Sequence, residues 1–192
     1  TREDLKNREL YVFGHSWGGY AATNIATFHP EVKGIIALAP VLSIKTLVTL
    51  SDKKYLPLAK FFFLLIDYIK CGSFSKQDAL LTLSKFSKQG GKIMVIQSLE
   101  DSVVHYKTSL GLLKQHFEFQ ENERIKFVTV QNRNHNPHYT ERAANLVNQF
   151  FSELPRIKDQ DLDDYYKRFD FRAMGKLDDA IMKEICNFIE SI

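Results

Sequence analysis

The sequence predicts an α/β fold in which a mostly parallel sheet carries flanking helices. Short apolar runs typical of buried strands recur at residues 10–13, 32–39, 92–96 and 125–130. Helical patterns lie between and after these runs, and this alternation requires right-handed crossovers and a parallel sheet. The chain has 192 residues, of which 44% are apolar, so we expect a single domain with a sizeable core.

The first predicted strand runs directly into the pentapeptide Gly14-His15-Ser16-Trp17-Gly18, and Gly19-Tyr20-Ala21-Ala22 then begins a helix. This strand–turn–helix context predicts a nucleophile elbow. A serine hydroxyl is a weak nucleophile, so a sharp turn has to present it to a base. We expect Gly14 and Gly18 to leave the room that the turn needs. The alternative interpretation is an ordinary strand-to-helix turn.

The stretch from residue 41 to residue 90 is too long for one crossover helix, so we expect it to contain a small helical cap. Within it, residues 55–69 are apolar on nearly every side. At about 20 residues needed to cross a bilayer, this segment is too short. It is either a buried crossover helix or a lid that offers Phe62 and Phe63 to an acyl group or a membrane surface. We expect it to pack over or beside the site.

An acidic pair follows the third predicted strand. Asp101 lies just past the carboxyl end of this strand, at the edge where open α/β sheets place their sites. We choose Asp101 as the carboxylate that orients a base, and Glu100 is the neighbour that could replace it. The structural alternative is that Asp101 caps a following helix.

A polar, turn-rich loop follows the fourth predicted strand and carries two histidines, His135 and His138. We expect this loop to be exposed, so that His135 can reach Ser16 across the sheet edge. His138 is the competitor, but it follows Pro137 and is predicted to lie in the first turn of a helix. The order Ser, Asp, His along the chain is the one that such sheets use.

The remaining histidines are predicted to be structural: His15, which we expect to point away from the nucleophile, His29, His105 and His116. None has the spacing of a metal ligand, so we expect no metal. The tail, residues 156–192, is predicted to be a helical extension whose last helix docks one face on the body. Its aspartates lack the glycine and distal glutamate of a calcium loop.

Composition excludes several function classes. The net charge is only +3 and the basic residues are scattered, so we expect no nucleic-acid partner. No segment is long enough to span a membrane, and we find no signal peptide. Cys71 and Cys186 lie far apart, which fits a reducing cytoplasm.

The elbow, the strand that ends at Leu99-Glu100-Asp101 and the loop around His135 together resemble the α/β-hydrolase superfamily over residues 9–153. The resemblance implies the C-terminal half of that fold, with the small cap already described. It also implies that Ser16 is the nucleophile, His135 the general base and Asp101 its orienting acid. The backbone N–H of Trp17 would be one oxyanion donor.

The superfamily builds four more strands before its elbow strand, whereas nine residues precede Leu10 here. The loop that supplies the second oxyanion donor belongs to those strands. An unpaired, apolar elbow strand is an aggregation hazard. We therefore expect either that residues upstream of Thr1 exist in the native protein, or that another chain pairs with this edge.

By this resemblance we expect a serine hydrolase that cleaves a carboxylic ester through an acyl-enzyme, without a cofactor. The substrate would be a small-molecule acyl ester or a peptide. A peptidase or an acyltransferase on the same three side chains is the alternative within this chemistry. A different class of hypothesis is a non-catalytic α/β module.

Overall fold

In a computed structural model of the chain, residues 8–43, 61, 65, 66, 69, 78–116 and 120–191 are described. Their four strands form one parallel sheet in the order β1-β2-β3-β4. The strands are β1 (Leu10–His15), β2 (Val32–Leu38), β3 (Lys92–Ser98) and β4 (Ile125–Val130). The predicted parallel sheet is confirmed.

Seven α-helices have both ends within the described part of the chain. They are α1 (Trp17–Ile25), α2 (Ala79–Lys88), α3 (Leu110–Gln115), α4 (Glu141–Glu153), α5 (Leu162–Lys167), α6 (Phe171–Met174) and α7 (Asp179–Glu190). Among the helices described, none is both long and apolar enough to cross a membrane.

Both faces of the sheet are covered. On one face, side chains of the strands pack with α1, α2 and α3 in a core that includes Ile35, Val95 and Leu83. On the other face, Ile36 and Met94 belong to a second core. The two central strands are therefore apolar on both sides, as expected for strands inside a parallel sheet.

The second core is completed by α7, the last helix of the chain. Ile185 and Phe188 are buried in it, and Ile181 and Ile189 pack at its border. The side-chain ammonium of Lys92 donates hydrogen bonds to the carbonyl oxygens of Phe188 and Ile189, at the end of the helix. The predicted docking of a terminal helix is confirmed.

The predicted insertion at residues 41–90 lies mostly outside the described residues, and so does most of the 55–69 segment. Four positions of that segment are described, Phe61, Leu65, Ile66 and Ile69, and all four are helical and exposed. Whether the segment packs beside the site stays a prediction. The described end of the insertion is α2, which packs against α1.

The elbow strand β1 lies at one edge of the four-stranded sheet, next to β2. Two of its large apolar side chains, Leu10 and Phe13, are 45% and 51% exposed. A parallel strand with exposed apolar side chains and an open edge is a surface that natural proteins normally cover. Pairing of another segment or chain at this edge stays a prediction.

The register of the sheet decides where the site can form. Leu38 in β2 is paired with His15 in β1 and with Ile96 in β3, and Ile96 is paired with Val128 in β4. The carboxyl ends of β1, β3 and β4 therefore lie at the same edge of the sheet. The loops that carry Ser16, Asp101 and His135 leave the sheet at this edge.

Candidate active site

The turn at Ser16 has the backbone geometry of a strained elbow. Ser16 lies between β1 and α1 with φ 57° and ψ −116°, a region that non-glycine residues rarely occupy. A hydrogen bond to the sheet fixes this strained residue: the Ser16 N–H donates to the carbonyl oxygen of Leu38 in β2 at 2.8 Å. Strain of this kind persists only where surrounding structure fixes it, and it concentrates at functional sites.

The glycines around Ser16 have different roles from those predicted. A Cβ on Gly14 would lie 2.0 Å from the carbonyl oxygen of Gly18, and a Cβ on Gly19 would lie 2.9 Å from the Cβ of Pro40. A Cβ on Gly18 would meet nothing within 4 Å. The expectation that Gly18 leaves room is therefore wrong, and the close contacts belong to Gly14 and Gly19.

The residue after the serine, Trp17, is the first residue of α1. Backbone N–H groups in the first turn of a helix have no partner within the helix, and the helix dipole makes this end electropositive. The Trp17 N–H is therefore suited to bind an oxyanion. Its indole is 53% exposed and meets the ring of Tyr20 edge-on at 6.1 Å.

The carboxylate of Asp101 is fully buried and accepts several hydrogen bonds. The N–H groups of Val103 and Val104 both donate to Oδ1 at 2.9 Å, and Nε2 of Gln97 donates to Oδ2 at 3.3 Å. The two backbone bonds cap a turn rather than a regular helix, since the next helical residue is Tyr106. Asp101 therefore caps a turn and not a helix, so the helix-cap alternative is wrong.

The structure brings His135 onto Asp101. Nδ1 of His135 lies 3.0 Å from both oxygens of the Asp101 carboxylate. A carboxylate can only accept, so Nδ1 carries the proton and Nε2 of a neutral ring is left free to accept one. The ring is 14% exposed, so it remains open to a reactant.

Glu100 and His138, the alternatives for the acid and the base, make contacts outside the Asp101–His135 pair. Oε2 of Glu100 accepts hydrogen bonds from the Ser98 hydroxyl at 2.7 Å and from the Asn132 N–H at 3.1 Å. The bond from Ser98 is the main cause that lowers the pKa of Glu100. His138 lies before α4 rather than in its first turn, and its ring packs on Tyr139 at 4.3 Å.

The loop that carries His135 is fastened by residues that sequence reasoning did not select. Oδ1 of Asn134 accepts hydrogen bonds from the N–H and the hydroxyl of Ser102, and Nδ2 of Asn134 donates to Asn148 in α4. The guanidinium of Arg133 binds Asp178, the N-cap of α7, at 3.0 Å. The sequence held a local signal for Asn134, because it is an asparagine next to the histidine in a turn-rich run, and asparagine tolerates the positive φ of 47° that the structure shows there.

Gln97 is the second residue that was missed. It is a fully buried polar side chain in β3 whose Nε2 also donates to the carbonyl oxygen of Val104, while its Oε1 accepts from the Leu110 N–H. Gln97 therefore fixes the loop around Asp101 to the end of β3. Its signal in the sequence is a polar residue near the end of an otherwise apolar strand.

His15 does not point away from the site. Its ring lies 4.8 Å from the ring of His135 and 5.0 Å from the ring of His138, measured between centroids. Of the other histidines, His29 binds Glu31 at 2.9 Å, beyond the end of α1. The loop that carries His135 therefore lies directly against the residue that precedes Ser16.

A cavity of about 620 Å³ opens beside His135, between the loop of Asp101 and α4. Apolar side chains of Val103, Val147 and Phe151 line it together with amides of the His135 loop. The described residues that line it include no charged side chain. The cavity is therefore suited to a neutral group.

The lowered pKa of His138 should make the folded protein less stable in acid. Burial, aided by nearby His15 and His135, lowers the pKa of His138 from 6.5 to about 4. An unfolded histidine binds its proton near pH 6.5, so His138 favours folding above that pH and loses this contribution as the pH falls towards 4. Because the ring is only half-buried, solvent screening limits the effect to about 1–2 kcal/mol.

Urea unfolding of the wild type and of His138→Phe, at neutral pH and at about pH 4.5, measures this contribution. The variant should lose less stability on acidification than the wild type, because phenylalanine does not titrate. Burial also lowers the pKa of His15, so part of the pH dependence should remain in the variant. An equal loss in both proteins would contradict the assignment to His138.

The strained elbow, the buried Asp101–His135 pair and their common sheet edge are features of an α/β-hydrolase. The sequence model of the prolyl oligopeptidase family matches residues 2–155. The chain belongs to the prolyl oligopeptidase family, and its described residues form part of an α/β-hydrolase fold. None of the curated proteins compared with the chain matches it.

Several solved structures are similar to the chain. The esterase domain of a Rhodothermus marinus protein is 16% identical with a TM-score of 0.45, over 76% of this chain and 59% of that one. Est1E from Butyrivibrio proteoclasticus is 18% identical with a TM-score of 0.49, over 78% and 63%. The acylaminoacyl peptidase of Pyrococcus horikoshii is 18% identical with a TM-score of 0.47, over 76% and 24%. The chain thus spans less than two thirds of the length of each.

Proposed function

We propose that the protein hydrolyses carboxylic esters of small molecules through an acyl-enzyme, with Ser16 as nucleophile, His135 as general base and Asp101 as its orienting acid. The observation that carries the proposal is the 3.0 Å contact between Nδ1 of His135 and both oxygens of the buried Asp101 carboxylate. This contact leaves Nε2 of His135 as the proton acceptor, at the sheet edge where the strained elbow presents Ser16.

In the first half of the reaction, Oγ of Ser16 attacks the carbonyl carbon of the ester while Nε2 of His135 takes the hydroxyl proton. The carbonyl oxygen becomes an oxyanion, which the Trp17 N–H binds at the positive end of α1. The tetrahedral intermediate then breaks its bond to the alcohol oxygen, and His135 returns the proton to the departing alcohol. An acyl group remains on Ser16.

In the second half, His135 takes a proton from a water molecule, whose oxygen attacks the acyl carbon. The new tetrahedral intermediate expels Oγ of Ser16, which regains its proton from His135. Asp101 stays ionised throughout and stabilises the imidazolium each time it forms. The products are the alcohol and the carboxylic acid, and the protein needs no cofactor for this chemistry.

The cavity beside His135, whose described lining is apolar and amide-bearing without a charged side chain, suits an uncharged group of the substrate. Peptide cleavage is the second candidate, and the family to which the chain belongs favours it. The same three side chains serve either reaction, so the choice depends on the leaving group. An alcohol leaves more readily than an amine, so an ester is the less demanding substrate for a site whose described part offers the Trp17 N–H as its oxyanion donor.

A panel of matched substrates tests this choice. The protein is offered p-nitrophenyl esters of increasing acyl length and p-nitroanilides of the same acyl groups and of short N-blocked peptides. We expect kcat/KM for the esters to exceed that for the matched anilides by at least about 100-fold. Faster cleavage of a peptide anilide than of any ester would replace the ester proposal with the peptidase.

A further inference from the structure

His15, the last residue of β1, joins the elbow to the loop that carries His135. Its Nε2 lies 2.7 Å from the main-chain carbonyl oxygen of His135, 120 positions further along the chain. A carbonyl oxygen can only accept a hydrogen bond, so Nε2 of His15 must carry the proton. In the neutral ring the proton is then absent from Nδ1.

The ring of His15 is held between two other imidazoles. His135 packs on it at 4.8 Å and His138 at 5.0 Å. Burial is the main cause that lowers the pKa of His15, which keeps the ring neutral at neutral pH. A charged ring in this position would repel the imidazolium that His135 becomes during catalysis.

Three anchors therefore fix His135, and each holds a different part of it. Asp101 holds Nδ1 of the ring, while Asn134, the preceding residue, is bound to Ser102 in the loop of Asp101. The bond from His15 is the anchor on the nucleophile side, because His15 is covalently joined to Ser16. A shift of His135 relative to Ser16 would have to break it.

We propose that His15 is a positioning residue: its Nε2–H holds the main chain of His135 in register with Ser16, so that the base stays aligned with the nucleophile. The proposal rests on the proposed function, since it assigns His15 a role in the same site. His15 itself touches no reacting atom. Misplacing a catalytic group by about 1 Å can cost about 100-fold in rate.

Three variants isolate the hydrogen bond. His15→Leu removes the donor and the ring, His15→Gln keeps an N–H donor on a side chain of similar reach, and His138→Phe keeps a ring against His15. We expect His15→Leu to lower kcat for a p-nitrophenyl ester about 10–100-fold with KM within about two-fold. His15→Gln should recover most of this loss, and His138→Phe should change kcat little.

A spectroscopic readout does not require turnover. The Nδ1 proton that His135 shares with Asp101 should give a low-field proton resonance, assigned by its loss in His135→Gln. In His15→Leu this resonance should broaden, because the Nδ1 proton of His135 exchanges faster with solvent. In His15→Gln the resonance should persist. In the wild type at neutral pH, the ring nitrogens of His15 should show the neutral form protonated at Nε2, which requires no variant to fold.

Charged His15, or His15 protonated at Nδ1, would overturn the proposal. So would an unchanged kcat and an unchanged His135 resonance in His15→Leu, or equal losses in His15→Leu and His15→Gln. Failure of the proposed function looks different: Ser16→Ala would then keep the activity, whatever the state of His15. If Ser16→Ala is inactive while His15→Leu is fully active, only the present proposal fails.

Discussion

Replacing Ser16 with alanine should lower the turnover of p-nitrophenyl esters by at least about 1,000-fold. The substitution removes the one hydroxyl that the strained turn presents at the carboxyl edge of the sheet. Without it, His135 has no positioned group to deprotonate, and no acyl-enzyme can form. The residual rate would come from binding and from the Trp17 N–H, which the substitution leaves in place.

The matched control is Ser191→Ala, which removes an exposed hydroxyl after α7 that donates to the carbonyl oxygen of Phe188 and lies beside Lys92, at the amino end of β3. This variant should keep the wild-type turnover. Both proteins should unfold at similar urea concentrations. Near-normal esterase activity in Ser16→Ala would contradict the elbow assignment.

Asp101→Asn should lower kcat by about 1,000- to 10,000-fold. The buried carboxylate accepts from Nδ1–H of His135, from two backbone N–H groups and from Gln97. An asparagine oxygen can still accept the backbone bonds, so the loop should keep its shape. The amide nitrogen would instead donate to His135, which forces the proton onto Nε2 and blocks that atom as a base.

Glu100→Gln is the control, since Glu100 is the adjacent carboxylate and is bound to Ser98 and Asn132. It should retain kcat within about a few-fold, because it does not contact the base. Rates are compared over the pH range on both sides of neutrality. If the loss occurs in Glu100→Gln and not in Asp101→Asn, the two carboxylates have been assigned in the wrong order.

The strands and the positions of the site residues at strand ends could be predicted from local patterns in the sequence. Four apolar runs predicted the four strands, and the ends of those strands identified Asp101 and His135, which the structure brings to 3.0 Å. This worked because the carboxyl ends of parallel strands meet at one edge, so strand order along the chain already constrains which loops are neighbours. Boundaries were less accurate: Ala39 has φ 42°, which ends β2 one residue early.

Contacts between side chains distant in sequence could not be predicted in the same way. His15 is separated from His135 by 120 positions, and nothing in its neighbourhood indicates that its ring turns towards that loop. Gly18 has the spacing of a required glycine, yet the backbone of Gly18 is what approaches Gly14. Such contacts depend on how the elbow and the base loop pack, which local patterns do not specify.

The most direct test of the account is to locate the residue that a serine-reactive fluorophosphonate modifies. Intact-mass measurement after labelling, followed by peptide mapping, identifies the attached residue without any assumption about the substrate. We expect a single adduct on Ser16, which is lost in Ser16→Ala and forms much more slowly in Asp101→Asn. An adduct on another residue, or no adduct on the folded protein, would contradict it.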